Sequence, residues 1–340
     1  MTLAPIRLLR ATEIQNMLAG REDEIIEAVR RAYEVHAGGQ SSLPHSVFLR
    51  FPDDPRSRII SLPAFLGGDA PIAGVKWIAS FPSNHDLGIR RASAVMILNS
   101  VRTGLPEVIM EGSLISAART AASAALAARY LHADRPAETI GLIGCGIINF
   151  EIARFLLAVF PQISTVILFD IQAEQAARFA ARCRRLREDL RVVSVDSPAE
   201  VFRQAPLVAL ATTAVEPTID DLSMCATGST ILHISLRDLT PQVILGCDNI
   251  VDDVDHVCRA QTSVHLAEQQ VRNRDFIRCT LADITRGSAP ARTDRESIAV
   301  FSPFGLGVLD LAVSQLVLEQ AQRQGIGLQI DDFLPSDEAL

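Results

Sequence analysis

Two glycines stand where an apolar run gives way to a segment with helical spacing. Gly144 and Gly146 follow directly after Ile143, and the apolar run before them is typical of a buried strand. Glycine in the first place permits a tight turn, glycine in the second lets a phosphate approach the backbone, and the helix that follows presents free N–H groups. The residues that we expect to hold a pyrophosphate are Gly144, Gly146, Ile147, Ile148 and Asn149. Asn149 stands where a third glycine is usual, and a purely structural turn is the alternative interpretation.

Polar residues at the ends of later predicted strands also favour the binding of a nucleotide. Asp170 follows the apolar run 166–169, slightly beyond the spacing of roughly 20 residues that is typical of a ribose-binding acid. A carboxylate there accepts hydrogen bonds from both hydroxyls of the adenosine ribose and repels a 2′-phosphate, so the cofactor is predicted to be NAD. Thr212 and Thr213, at the end of the fourth predicted strand, are candidates to contact the nucleotide from the other side.

Strand and helix patterns alternate from residue 138 onward. The predicted strands are 139–143, 165–169, 191–195, 207–212, 229–234 and 249–251, and the predicted helices between them include 147–159, 173–186 and 198–204. Such alternation implies parallel strands joined by right-handed crossovers. We therefore expect an α/β protein with a Rossmann-type doubly wound parallel sheet of about six strands.

The N-terminal part has a different character. A helical pattern over 22–36 is followed by short β-branched and apolar runs between 46 and 110, broken by Pro, Gly, Asp and Asn, which predict an antiparallel meander. An alanine-rich helix over 113–131 leads out of the meander, and an apolar helix over 308–322 is expected to return to it. The prediction is a second, α+β domain formed by 1–117 with 308–340, beside a nucleotide domain at 118–307.

The composition and the sequence pattern argue against several classes of binding partner. With 32 basic and 40 acidic residues the net charge is −8, which argues against nucleic acid. The N-terminus lacks a signal-peptide layout and no apolar run reaches the roughly 18 residues of a membrane span, so we expect a cytoplasmic protein without a membrane partner. The six cysteines include no Cys-x-x-Cys pair and predict free thiols. An acidic run at 252–256 follows a predicted strand, and no metal is expected there.

Several segments resemble the ornithine cyclodeaminase/μ-crystallin family over nearly the whole length. The segments that carry this resemblance are 74–76, 103–106, 116–122 and 144–146. Within the family the chain looks most like the branch of N-(2-amino-2-carboxyethyl)-L-glutamate dehydrogenases, which make 2,3-diaminopropionate for siderophores and related products. The segments similar to that branch are 43–52, 91–94, 147–151 and 233–239.

The resemblance implies site residues and an assembly. It places Lys76 and Arg119 on an amino-acid substrate, with Arg119 on the α-carboxylate, and it places Asp238 where cyclodeaminases keep an acid/base aspartate. It also implies that the N-terminal domain binds the substrate and forms a homodimer through its sheet. An arginine within an alanine-rich helix independently calls for an anionic partner, because burying an unpaired charge is costly. Weaker candidates for substrate binding are His45, Arg50, Arg91 and Arg237.

The expected reaction is oxidation at a carbon–nitrogen bond. Hydride would pass from the substrate α-carbon to NAD, an imine would be hydrolysed, and Lys76 or Asp238 would accept the amine proton. Two departures from the cyclodeaminases argue against ornithine cyclisation: His45 replaces an arginine, and Ile60 stands roughly where they have a catalytic glutamate. A cyclodeaminase, a related amino-acid dehydrogenase or imine reductase, and a non-catalytic nucleotide-binding protein remain alternatives.

Overall fold

The computed structural model describes residues 4–135 and 137–335, apart from the side chain of His85. Backbone contacts divide the chain into two compact units. The first unit runs to Arg119 and resumes at Leu306, and the second is Thr120–Gly305. Within the described residues each unit is built on an eight-stranded sheet.

The first unit combines a mixed sheet with helices on one face. Its elements are β1 (Ile6–Leu9), α1 (Ala11–Leu18), α2 (Glu22–Ala37), β2 (Ser41–Ser42), β3 (Val47–Phe51), β4 (Asp54–Leu66), β5 (Ile72–Ser80), a 3₁₀ helix (Pro82–His85), β6 (Ala92–Asn99), β7 (Pro106–Glu111), the first part of α3 (Ser113–Leu131), α11 (Gly307–Gln324) and β16 (Leu328–Ile330). The predicted meander is present: β3 to β7 pair in antiparallel fashion with their sequence neighbours. The pattern did not predict β1, α1 or β16, of which β1 lies between β7 and β16.

Helix α11 packs against α2, β4 and β5, which places the C-terminal part of the chain in the core of the first unit. Small residues allow this close approach. A Cβ atom on Gly307 would lie 3.2 Å from Ala64 Cβ, and one on Gly74 would lie 3.2 Å from Leu311 Cδ2 and would clash with the carbonyl oxygen of Ile97. The side chains on this face of β5 consequently meet α11 directly.

The second unit alternates strands and helices. Its elements after α3 are β8 (Thr139–Ile143), α4 (Ile147–Val159), β9 (Thr165–Phe169), α5 (Ala173–Cys183), β10 (Arg191–Ser194), α6 (Pro198–Gln204), β11 (Leu207–Leu210), β12 (Thr230–His233), α7 (Pro241–Leu245), β13 (Asp248–Val251), α8 (Val254–Val257), α9 (Ser263–Val271), β14 (Ile277–Thr280), α10 (Leu281–Thr285) and β15 (Ala299–Ser302). The strand order is β10-β9-β8-β11-β12-β15-β13-β14, and every pair is parallel. This is the predicted doubly wound sheet with two additional strands.

Two strands of this sheet were not predicted from the sequence. β15 lies between β12 and β13, and β14 extends the edge beyond β13. The run Ala299–Ser302 is fully buried and only four residues long, so its alternation with a helix is not visible in the sequence. The six cysteines are free, as predicted. No helix in the part of the chain that the structure describes could span a membrane.

Candidate active site

The glycine turn of the second unit has the geometry of an anion-binding loop. Gly144 has φ +91°, and a Cβ atom there would lie 2.5 Å from the carbonyl oxygen of Ala211. A Cβ on Gly146, by contrast, would meet no atom within 4 Å. Gly146 is the N-cap residue of α4 and has no side chain to cap the helix. The first N–H groups of α4 therefore remain free beside this open space. The open space at Gly146 and the free N–H groups of α4 are both suited to a phosphate group.

Asn149 occupies the position where a third glycine is usual, and its side chain is held by hydrogen bonds to the backbone. It is completely buried, and its amide nitrogen donates to the carbonyl oxygens of Ile143 at 2.9 Å and Gly144 at 2.7 Å. These bonds hold the first turn of α4 against the strand end. Ile147 is 44% exposed, whereas Ile148 is half-buried, so of these three residues Ile147 presents the most surface to a ligand.

Asp170 lies beside the glycine turn. Its Oδ2 accepts a hydrogen bond from the backbone N–H of Cys145 at 2.7 Å, and its Oδ1 accepts one from Gln172 N–H at 2.9 Å. The carboxylate is thus fixed at the end of β9 and remains half-exposed. This arrangement fits the ribose of a dinucleotide whose pyrophosphate lies on the turn.

Asp238 lies where β11 and β12 end. It is 1% exposed, it accepts hydrogen bonds from the hydroxyls of Thr212 and Ser235, and its Oδ2 lies 3.4 Å from His233 Nε2. His233 Nδ1 is in turn 3.1 Å from Ser302 Oγ. His233, which could have been an ordinary core histidine, therefore belongs to a buried polar chain that leads to Asp238. Thr213 is exposed next to this chain.

The surroundings of Asp238 favour the ionised carboxylate. Burial acts to raise the pKa of Asp238, but hydrogen bonds from His233, Ser235 and Thr212 outweigh it and hold the pKa below its ordinary value. At neutral pH this group accepts hydrogen bonds, and it is a weak base for removing a proton.

Lys76 and Arg119 meet in the first unit at a residue that the sequence interpretation did not identify. Lys76 Nζ lies 2.6 Å from Asp310 Oδ2, and Arg119 Nε lies 3.2 Å from Asp310 Oδ1. Lys76 also donates to Ser116 Oγ at 3.2 Å. Asp310 is fully buried, and Lys76 is 2% exposed. We call Lys76, Arg119 and Asp310 the cationic triad.

The triad carries two cations for one carboxylate. Burial lowers the pKa of Lys76 to about 8, although the Asp310 carboxylate acts to raise it and Arg119 adds a smaller lowering effect. Arg119 remains 12% exposed and uses only Nε on Asp310, which leaves its terminal nitrogens without a hydrogen-bond partner among residues 4–135 and 137–335. Such a fork suits a bidentate carboxylate ligand.

Asp310 was identifiable in principle. It is an acid in the middle of the apolar run 306–313, on the helix that the sequence pattern predicts. A buried carboxylate in such a position requires a cation, and the buried arginine of α3 requires an anion. What the pattern lacks is the information that α11 lies across β5.

The four weaker candidates for substrate binding lie in both units. Arg91 Nε donates to Ser80 Oγ at 3.1 Å, Arg50 lies over the ring of Phe48 at 5.6 Å, and His45 is exposed before β3. These three belong to the first unit. Arg237 belongs to the second unit, where its guanidinium donates to the carbonyl oxygen of Ala260 at 2.7 Å.

The acidic run after β13 has structural contacts. Asp252 accepts hydrogen bonds from the backbone N–H groups of Phe304 and Gly305, and Asp253 caps α8 by accepting from His256 N–H. Among the residues that the structure describes, no group of three His, Cys, Asp or Glu side chains could hold a metal ion.

Residues 7–325 match the ornithine cyclodeaminase/mu-crystallin family. The chain belongs to this family. It is 29% identical to N-((2S)-2-amino-2-carboxyethyl)-L-glutamate dehydrogenase of Staphylococcus aureus, over 95% of this chain and 97% of that protein.

Two solved structures of the family are similar throughout. Delta(1)-pyrroline-2-carboxylate reductase of Thermococcus litoralis, in complex with NADH and L-proline, aligns with a TM-score of 0.87 at 24% identity and covers 96% of this chain and 100% of its own. An archaeal alanine dehydrogenase dimer with bound NAD aligns with a TM-score of 0.85 at 25% identity and covers 96% and 99%.

Beside the cationic triad this chain has an apolar strand position. Ile60 pairs with Ile78 in the β4–β5 ladder, and the next pair on the same face is Leu62 with Lys76. The glutamate that the resemblance leads one to expect near Ile60 is therefore absent from this position, and the surface next to Lys76 is apolar.

Proposed function

We propose that this protein oxidises N-(2-amino-2-carboxyethyl)-L-glutamate with NAD and releases 2,3-diaminopropionate and 2-oxoglutarate. At the level of the family it is an NAD-dependent oxidoreductase that acts on amino-acid substrates. The observation that carries the proposal is the cationic triad, which holds an excess positive charge in a buried setting and so favours an anionic amino acid. Similarity along the full length to the staphylococcal dehydrogenase supports the choice of substrate.

The second unit supplies the residues that suit the cofactor. Gly144 and Gly146 would receive the pyrophosphate and Asp170 the adenosine ribose, which favours NAD over NADP. When bound, NAD would supply the acceptor for the hydride that leaves the α-carbon of the glutamate half.

The first unit supplies the groups that would prepare the substrate. Arg119 binds the α-carboxylate of the glutamate half through its free terminal nitrogens. A secondary ammonium must lose its proton before hydride can leave, and Lys76, with a pKa of about 8, is the better proton acceptor near neutral pH. In the second unit, Asp238 is held ionised, and we infer that it accepts a hydrogen bond from the water that hydrolyses the imine. In the hydrolysis, water adds to the imine carbon and the carbon–nitrogen bond breaks, so that the water oxygen becomes the carbonyl oxygen of 2-oxoglutarate and the nitrogen leaves as the amine of 2,3-diaminopropionate.

The outer face of the first sheet supports a homodimer. Val47, Leu49, Phe65 and Trp77 project from the side opposite Lys76, and they are 65%, 43%, 36% and 41% exposed. Apolar side chains gathered on one face are typical of a protein interface. We propose that two copies associate through this face.

Incubation of the purified protein with NAD and the glutamate conjugate tests the function. We expect equimolar NADH, 2-oxoglutarate and 2,3-diaminopropionate, and loss of turnover with retained NAD binding in Lys76→Ala. Parallel incubations with ornithine, alanine and pyrroline-2-carboxylate (the last with NADH) test the other activities of the family. Formation of proline and ammonia from ornithine, or turnover of alanine or pyrroline-2-carboxylate in place of the conjugate, would refute the proposed substrate.

A further inference from the structure

Three arginines lie side by side at one end of the first sheet. Arg50 on β3 is directly opposite Arg58 on β4, and Arg58 is directly opposite Ser80 on β5. Arg91, which comes immediately before β6, donates from Nε to Ser80 Oγ at 3.1 Å. We call Arg50, Arg58 and Arg91 the arginine row.

The charge of the arginine row is not compensated. Within residues 4–135 and 137–335 the hydrogen-bond and ring partners of its three side chains are Ser80 and Phe48, and they include no carboxylate. The Nε atom of Arg58 is buried and has no hydrogen-bond partner there. Burial and the neighbouring Arg50 lower the pKa of Arg58, and burial and Arg58 lower that of Arg91. Such crowding of cations is unfavourable unless an anion binds.

The arginine row and the cationic triad share one face of the sheet. Side chains alternate along a strand, so Ser80 points to the same side as Lys76, four residues earlier on β5. The register places Arg58 and Leu62 of β4 opposite these two residues, on the same face. At about 3.3 Å per residue the two cationic positions are roughly 13 Å apart along the strand, a distance that the long arginine side chains can shorten.

The surface between the two cationic positions is apolar. Ile60 and Ile78, paired with each other, occupy the intervening position on β4 and β5. A ligand that spans this stretch would place methylene groups over the isoleucines and an anionic group at each end. The side chain of the glutamate half has this composition, because two methylenes separate its α-carbon from the γ-carboxylate.

We propose that Arg58, flanked by Arg50 and Arg91, binds a second carboxylate of the substrate, remote from the reacting carbon. The selected class is amino acids or amino-acid conjugates with a glutamate-like side chain. This inference rests on the proposed function, since it uses the triad as the site of the α-carboxylate. It assigns selection of the γ-carboxylate to Arg58, a role separate from the chemistry at Lys76.

The decisive measurement compares Arg58→Gln with wild type on two substrates, the conjugate and its analogue with a glutamine half. We expect kcat/KM for the conjugate to fall about 10- to 100-fold, mainly through KM, because a charged hydrogen bond is lost. The glutamine analogue should change less than about 3-fold. Arg58→Lys should restore part of the loss. Arg56→Gln removes the same charge from an exposed position on the same strand and serves as the control. Equal losses on both substrates, or no loss, would overturn the proposal.

A binding experiment separates this inference from the proposed function. The melting temperature of the NAD-saturated protein is measured with glutarate and with butyrate. Both have a carboxylate on a chain of three carbons, and only glutarate has a second carboxylate at the other end. Wild type should be stabilised by glutarate more than by butyrate, and Arg58→Gln should lose this difference, even if the conjugate is not turned over. Equal stabilisation by glutarate in both proteins would refute the subsite, as would a changed oligomeric state in Arg58→Gln with unaltered selectivity.

Discussion

Replacement of Asp310 by asparagine removes the single carboxylate of the cationic triad and keeps its shape. Lys76 Nζ and Arg119 Nε lie 2.6 Å and 3.2 Å from its oxygens, so the variant leaves two buried cations facing a neutral amide. Breaking a buried ion pair from one side costs about 3–5 kcal/mol of unfolding free energy. An attraction of about 4 kcal/mol between charges near 4 Å, at an effective dielectric constant of about 20, corresponds to about 3 pKa units.

The sign of the pKa change follows from the contacts. The carboxylate favours the protonated lysine, so its loss lowers the pKa of Lys76 below its present value of about 8. Since the amide oxygen still accepts a hydrogen bond, we expect a fall of about 2 to 3 units. If neutral Lys76 accepts the amine proton, kcat/KM rises with pH through this pKa, and its acid limb moves from about pH 8 to about pH 5–6 in Asp310→Asn.

The assay is the pH dependence of NADH formation at low substrate concentration, with urea unfolding to measure stability. Glu319→Gln, an exposed acid on the same helix, is the control and should change neither quantity. An acid limb that stays at the same pH in Asp310→Asn, or moves upward, would show that Lys76 is not the group that titrates.

Four further predictions concern the other parts of the site. Gly144→Ala should reduce NAD affinity at least 10-fold in a fluorescence titration with NADH, because its φ of +91° and the 2.5 Å approach to a carbonyl oxygen exclude a Cβ. Asp170→Ser should raise the affinity for NADP relative to NAD about 10-fold or more, since a repelling carboxylate is removed. Asp238→Asn should lower kcat at least 10-fold with little change in NAD affinity, and unchanged kcat would exclude it from the chemistry. Trp77→Asp should shift the protein toward monomer in analytical ultracentrifugation, and an unchanged oligomeric state would contradict the proposed interface.

The parts of the fold that sequence predicts well are those whose periodicity is local. The predicted helices Ser113–Leu131 and Ile147–Val159 agree with the structure to the residue. The first is marked by its alanine content, and the start of the second is marked by the glycine turn. The short buried strand Ala299–Ser302 has no alternation, so its place between β12 and β13 depends on contacts that only the folded chain contains.

The same distinction applies to the site. The glycine turn and Asp170 are recognisable because one strand–helix–strand unit contains them. Asp310 and Arg58 depend on contacts across the sheet and helices: Asp310 is 234 residues from Lys76, and the importance of Arg58 lies in its register with Arg50 and Ser80. No local pattern predicts such contacts, and the family resemblance named neither residue.

The insertion of β15 between β12 and β13 has a consequence for biosynthesis. A nascent chain that ends before Ala299 leaves β12 and β13 as two unpaired edges, since each of them completes its pairing only with β15. Exposed strand edges invite association with other chains, and pairings distant in sequence form slowly. Helix α11, which carries Asp310, is synthesised later still, so the first sheet remains without this helix against β4 and β5 until residues 307–324 have emerged.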